Sequence, residues 1–177
     1  MPIPFFMNGS TILIYRHVFS GTMINNESNH CEADIECDHA AKGCTFMIEM
    51  EFYELRLDET GADQIVILKE KNGVRMMPIL IGYYEAQSIH LSLNDIKIQR
   101  PLTHDLTVRI IDALDAKMER VVVNDLRDST FYARIHFSTA QGPVDVDSRP
   151  SDALALAVRT DTPIFVEREV LEQVARE

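Results

Sequence analysis

Three short polar clusters hold the residue types that could do chemistry in this chain. The first runs Arg100-Pro101-Leu102-Thr103-His104-Asp105. A histidine beside an aspartate, behind an arginine, can serve as metal ligands or as a base with its orienting carboxylate. The competing reading is local: Thr103 caps a helix, Asp105 is favoured by the helix dipole and Arg100 lies on the surface. The second cluster is Asp145-Val146-Asp147-Ser148-Arg149-Pro150-Ser151-Asp152. Asp145 and Asp147 project to one face of a strand, and Asp152 falls in the first turn of the next helix. Paired carboxylates at a strand end, with an arginine nearby, suit a metal-assisted phosphodiester site. An edge strand with acids facing solvent, followed by a capped helix, explains the same residues. The third, Asp125-Leu126-Arg127-Asp128-Ser129-Thr130, follows a Val-rich strand and reads best as a polar turn.

Other reactive types are weaker signals. Glu85 and His90 fall on the expected solvated side of a helix, and Tyr83 and Tyr84 read as packing rather than as a base-stacking platform. His30, Cys31, Cys37, His39 and Cys44 could form a metal site, but they contain neither a Cys-x-x-Cys nor a His-x(3–5)-His pair. No glycine-rich phosphate loop, nucleophile elbow or His-Glu-x-x-His is found.

Charge constrains the partners. Of the 177 residues, 17 are Lys or Arg and 28 Asp or Glu, a net charge of −11. Such a chain repels a phosphate backbone at long range, so holding nucleic acid requires a local arginine cluster or a bridging cation. No apolar run approaches the roughly 18 residues that span a bilayer, and no membrane association is expected. Three cysteines, an odd number, without a visible secretory signal suggest a reduced, cytoplasmic protein.

The elements that must position these clusters are legible from about residue 47. Before Phe46 the text is irregular, without a sustained period of 2 or 3.6. Residues 1–46 are expected to be a disordered tail or sequence upstream of the native start, and 47–177 the domain. That domain carries 15 Lys and Arg against 23 Asp and Glu, a net charge of −8. Residues 50–57 alternate as a strand. Gln64–Glu70 and Val74–Ile81 are strands joined at Asn72-Gly73, the signal of a type I′ hairpin turn. Tyr84–Leu93 reads as a helix. His104–Ala116 reads as a second, capped by Thr103, with Leu106, Ile110, Ala113 and Leu114 buried and Asp105 paired to Arg109. Val121-Val122-Val123 marks a central strand. Phe131–Phe137 and Val144–Val146 alternate, turning at Gln141-Gly142-Pro143. Pro150 and Ser151 open a helix apolar on all sides, hence buried. A short strand, Pro163–Glu167, and a helix, Arg168–Ala175, complete the chain. The order βββαα βββα βα predicts a single α+β domain, a mixed sheet with hairpins packed against about four helices.

The clusters and their neighbours resemble the bifunctional nuclease family. The matching text is Pro78-Ile79-Leu80-Ile81-Gly82-Tyr83-Tyr84-Glu85-Ala86, Arg100 through Leu106, Leu126 through Ala133, Asp147 through Ala153 and Pro163-Ile164-Phe165-Val166. It covers about residues 50–175, with Ser129 where glycine is expected and Ser148 where alanine is expected. The resemblance implies cleavage of DNA and RNA, described for plant members, and a compact domain that associates as a homo-oligomer. On that reading Mg²⁺ or Mn²⁺ would be held by Asp147 and Asp152, with Glu85 or Asp105. Arg100, Arg127 or Arg149 would neutralise phosphate charge and His104 would move a proton. The alternative is a non-catalytic oligomeric binding or regulatory module whose Arg–Asp clusters are structural.

Overall fold

The computed structural model describes residues 46–58 and 64–175, together with the backbone of 3–7, 10–16 and 36–37. The sheet is built from β1 (Ile3–Met7), β2 (Ser10–Arg16), β3 (Glu36–Cys37), β4 (Phe46–Asp58), β5 (Gln64–Glu70), β6 (Met76–Ile81), β7 (Lys117–Arg127), β8 (Thr130–Thr139), β9 (Gly142–Ser148) and β10 (Ile164–Glu167). The helices are α1 (Tyr83–Leu93), α2 (Thr103–Ala113), α3 (Pro150–Thr160) and α4 (Arg168–Val174). This is the α+β domain with a mixed sheet and four helices that the pattern predicts. No described helix is long and apolar enough to cross a membrane. His30, Cys31, His39 and Cys44 lie outside the described residues.

Val121, Val122 and Val123 are buried on β7, which lies between β8 and β10. A continuous apolar run suits a strand covered on both faces. β10 runs parallel to β7 (Ile164↔Val121) and antiparallel to β4 (Ile164↔Met50), and so joins the two halves of the sheet. Each half is an antiparallel meander, β4-β5-β6 and β7-β8-β9, and ends in an edge strand, β6 or β9. The register of β4 shifts between Phe52 and Glu54. This bulge breaks strict alternation, so Phe52, Leu55 and Leu57 are all buried although they differ in parity.

The hairpin turns correct one expectation and explain one departure. Asn72-Gly73 does not form a type I′ turn, because neither residue has positive φ. A wider turn replaces it, closed by Glu70 N donating to Arg75 O at 2.9 Å and by the Arg75–Glu70 ion pair. Asp128 (φ 48°) and Ser129 (φ 57°) form the tight turn instead, bracketed by Arg127 paired with Thr130. Both φ values are those a type I′ turn needs. Ser129 therefore occupies a position that favours the expected glycine.

Helix α3 is buried from Ala153 to Ala157 and packs on β7 and β8, flanked by α1 and α2. Pro150 opens it at a position where a missing N–H costs nothing. Helix α2 leans on α3, and the expected buried face is reversed. Leu106, Ile110 and Leu114 are exposed, while Val108 and Ile111 pack toward the core. Both stripes are apolar, so periodicity could not choose between them. Thr103 is not the cap either: the helix starts there, and Asp105 accepts from Leu102 N at 2.8 Å.

Candidate functional site

Three helices bring one chain of polar side chains together. Its inner end is Arg159, whose side chain is only 8% exposed. The guanidinium donates to Asp105 Oδ1 at 2.7 Å, Ser88 Oγ at 2.9 Å, Ser88 O at 3.0 Å and Ala155 O at 2.8 Å. Ser88 Oγ in turn meets His104 Nδ1 at 2.9 Å, and His104 Nε2 meets Asp152 Oδ1 at 3.1 Å. Asp152 accepts two bonds from Arg149, 2.8 Å from Nε and 3.1 Å from Nη2. Arg149 Nη2 also reaches Glu85 at 2.9 Å. The chain thus runs Asp105–Arg159–Ser88–His104–Asp152–Arg149–Glu85, enclosed through Arg159, Ser88 and His104 and open to solvent at Arg149.

Local sequence explains each placement. Asp152 and Arg159 are seven residues apart on α3, two helical turns, and so share a face. Glu85 and Ser88 are three apart on α1, which aligns them likewise. Gly82 leaves room for Glu85 to fold back, since a Cβ there would sit 2.3 Å from its Oε2. Arg149 immediately precedes α3 in extended conformation, within reach of Asp152 in its first turn.

The electrostatics follow from the same contacts. Burial works to raise the Asp152 carboxyl, but the bonds from Arg149 and His104 outweigh it, and the group is held below the usual carboxylate range. Asp105 behaves likewise, with burial overcome by Arg159, the Leu102 N–H and the more distant charge of Arg109. Arg149 is raised by its bonds to Asp152 and Glu85. The hydroxyl of Ser88 accepts from Arg159, so its own proton can be given to His104 Nδ1. That arrangement leaves the His104 proton on Nε2, facing Asp152. His104 is enclosed, with 14% of its side chain exposed, whereas Arg149 is open to solvent at 68%.

Of the residues singled out from sequence, His104, Asp152, Arg149, Glu85 and Asp105 join this chain. Glu85 is bound to Arg149 rather than solvated, and Asp105 pairs with Arg159 rather than with Arg109. Asp147 stands on exposed β9 opposite Arg134, and Asp145 pairs with His136 at 2.6 Å. Arg100 is exposed ahead of α2. Arg127 is exposed at the end of β7, paired with Asp125 and lying over the Tyr132 ring at 5.4 Å. Ser88 and Arg159 were missed. The seven-residue step from Asp152 to Arg159 was the available signal, but nothing local marks a serine on an amphipathic helix.

An open groove of about 830 Å³ adjoins the outer end of the chain. Arg149, Pro150 and Ser151 form one wall, β6 from Pro78 to Ile81 with Gly82 another, and the β7–β8 turn with Phe131 a third. Tyr83 and Tyr84 follow Gly82 directly. They are not packed inside as expected: Tyr84 is 84% exposed, and the two rings meet edge to face at 5.6 Å. Edge-to-face contact lets them support each other without a hydrophobic seat.

A model of the bifunctional nuclease domain matches residues 66–177, spanning α1, α2, α3 and every member of the polar chain. The chain belongs to the bifunctional nuclease domain family. Among its relatives is an uncharacterized protein of Mycobacterium tuberculosis, 39% identical over 127 residues that make up 72% of this chain and 76% of the relative. Bifunctional nuclease 1 of Oryza sativa subsp. japonica is 25% identical over 120 residues, 66% of this chain and 36% of the plant protein. Bifunctional nuclease 1 of Arabidopsis thaliana is 25% identical over 107 residues, 58% and 33% of the two lengths. The bifunctional nuclease domain therefore fills most of this chain but only about a third of the plant proteins.

The donor set does not fit a resident divalent cation. The carboxylates of Glu85 and Asp152 already converge on a cation, the Arg149 guanidinium, and Asp105 is bound by Arg159. Among the described residues no group of three His, Cys, Asp or Glu side chains is arranged to hold a metal ion.

Proposed function

We propose that this bifunctional nuclease domain hydrolyses phosphodiester bonds in DNA or RNA at the outer end of the polar chain. The observation that carries the reading is an exposed arginine, Arg149, linked through one carboxylate to an enclosed histidine, His104. Arg149 exchanges part of its pairing with Glu85 for a substrate phosphate and stabilises the charge that develops there. His104, oriented by Ser88 behind it, carries a proton at Nε2, with Asp152 holding the ring in place. Asp105 and Arg159 are positioning residues that fix Ser88. The sequence suggested Mg²⁺ or Mn²⁺ on Asp147 and Asp152 with Glu85 or Asp105; for a cation to bind at Asp152 and Glu85, Arg149 would have to leave both, and no step is routed through a metal.

The test is cleavage of labelled DNA and RNA by highly purified protein, with and without EDTA. General acid–base and phosphate-binding groups each contribute about 10²–10⁴-fold. His104→Ala and Arg149→Ala should each lose at least about 100-fold while still melting cooperatively. Wild-type cleavage by both variants would overturn the assignment. Cleavage abolished by EDTA and restored by Mn²⁺ would show that a divalent cation takes part and would overturn the metal-free assignment.

A second reading has its own support: both ring nitrogens of His104 are already engaged, and the Asp105–Arg159 pair ties α2 to α3. A non-catalytic module would use the chain only to lock α1, α2 and α3 together. It predicts no cleavage by the purified wild type. Under either reading we propose a homo-oligomer, because Leu106, Ile110 and Leu114 form an uncovered stripe at i, i+4 and i+8 on α2. Such an uncovered apolar stripe can meet its own copy across a two-fold axis. We also propose a cytoplasmic location, from the reduced state read for the cysteines.

A further inference from the structure

We propose that the groove beside Arg149 receives an unpaired nucleobase, which makes single-stranded nucleic acid the substrate class. The inference rests on the nuclease reading of Arg149 and adds what that reading leaves open. Three features of the groove describe its occupant. First, its walls are largely apolar: Pro78, Leu80, Leu126, Phe131 and Val174. Leu80 is 67% exposed there, on an edge strand where such a side chain has nothing to gain from packing within the chain. Second, among the described residues Arg149 is the only charged one in the lining, and none of the lining residues is a carboxylate. Once Arg149 exchanges its bond to Glu85, it offers this groove a cation for an anion attached to an apolar body. Third, exposed aromatic and cationic groups adjoin the lining residues along the chain. Tyr83 and Tyr84 continue from Gly82, and Arg127 extends from the same hairpin that supplies Leu126 and Thr130.

An arginine at one end, a largely apolar groove with ample room for a base and exposed tyrosines next to Gly82 in the chain suit a strand with a base turned out. A base within a duplex is already stacked and paired, and must be extruded before it can enter. A single strand has no such cost, and its neighbouring bases can stack on Tyr83 and Tyr84 while Arg127 meets a flanking phosphate. The apolar slot recognises a base by its face rather than by its edge, so little sequence preference is expected.

The test is fluorescence anisotropy with a labelled oligothymidylate carrying cleavage-resistant phosphorothioate linkages, its duplex with oligoadenylate, and an abasic strand of the same length. The single strand should bind at least about tenfold more tightly than the duplex or the abasic strand, as expected when one stacked base is lost. Leu80→Glu, which places a carboxylate in the slot, and Tyr84→Ala should each weaken single-strand binding by about tenfold or more. Val74→Glu, the same added charge at an exposed position outside the lining, should leave it unchanged. Both groove positions are exposed, and thermal melts should match the wild type. Equal binding of duplex and single strand, or unaltered binding by both groove variants, overturns the proposal. The two readings separate cleanly. Cleavage that persists with unaltered binding in the groove variants keeps the nuclease and rejects the groove. Groove-dependent binding with no cleavage by the wild type keeps the groove and rejects the nuclease.

Discussion

Replacing Arg159 by methionine keeps the aliphatic stem and removes a buried guanidinium that ties three helices together. The side chain donates four hydrogen bonds, one of them to a carboxylate. The charge-assisted bond contributes about 1.5–3 kcal/mol and each neutral bond about 1 kcal/mol. Some of this returns: Asp105 is part-exposed and rehydrates, and the desolvation of the guanidinium is relieved. A net loss of about 3 kcal/mol is expected. For a chain of this length that lowers Tm by roughly 6–12 °C, at about 2–4 °C per kcal/mol. Urea unfolding followed by circular dichroism measures the loss directly. A double-mutant cycle with Asp105→Asn should return a coupling of about 1–2 kcal/mol, because the two groups touch. Arg159→Met unfolding within about 0.5 kcal/mol of the wild type would refute the claim that this network holds the helices. Strict additivity with Asp105→Asn would show that the pair is geometric only. The exposed Arg149 offers the contrast, since Arg149→Ala should cost no more than about 1 kcal/mol.

Ser129→Gly should stabilise the protein by about 0.5–1 kcal/mol, because it removes a side chain from a left-handed backbone position; a melting temperature at or below the wild-type value would contradict this. Acid should weaken the fold through Asp105 and Asp152. Their folded-state values lie below those of the unfolded chain, so the stability they contribute is complete above the ordinary aspartate value of about 3.9 and is lost as pH falls through the depressed folded values. Glu167 opposes them. Burial, Glu169 and Asp125 raise its value, so its contribution is complete below the ordinary glutamate range and lost as pH rises through the folded value. Urea midpoints measured from pH 6 to pH 2 should therefore fall at the acid end, and Asp105→Asn should flatten that fall. Ile110→Glu should reduce the molar mass seen by light scattering while the thermal melt is kept; an unchanged mass would place any self-association elsewhere.

How much of this was legible beforehand depends on the range of the interaction. Strands, helices and their order are set by patterns a few residues long. The Val121–Val123 run, the Pro150 helix start and the alternation of β8 each carried their own signal, and each formed as expected. Where two local solutions were nearly equal, tertiary packing chose. Helix α2 has apolar residues on two faces, and only its docking on α3 decided that Val108 and Ile111 turn inward while Leu106, Ile110 and Leu114 stay out. The polar turn read at Asp128-Ser129 formed, with the two positive φ values expected instead at Asn72-Gly73, where the β5–β6 connection is a wider loop.

By itself the sequence determined the α+β element order, the acidic charge, the family resemblance and the residue types from which a phosphate-handling site could be made. It could not determine which carboxylate meets which arginine. Arg159 and Asp105 are 54 residues apart, and Arg149 and Glu85 64 apart. Ion pairs at such separation exist only once α1, α2 and α3 are packed together. Side-chain hydrogen bonds have a reach of a few ångströms, so only the tertiary arrangement decided that Arg149 lies between Asp152 and Glu85, two of the carboxylates expected to hold a metal ion.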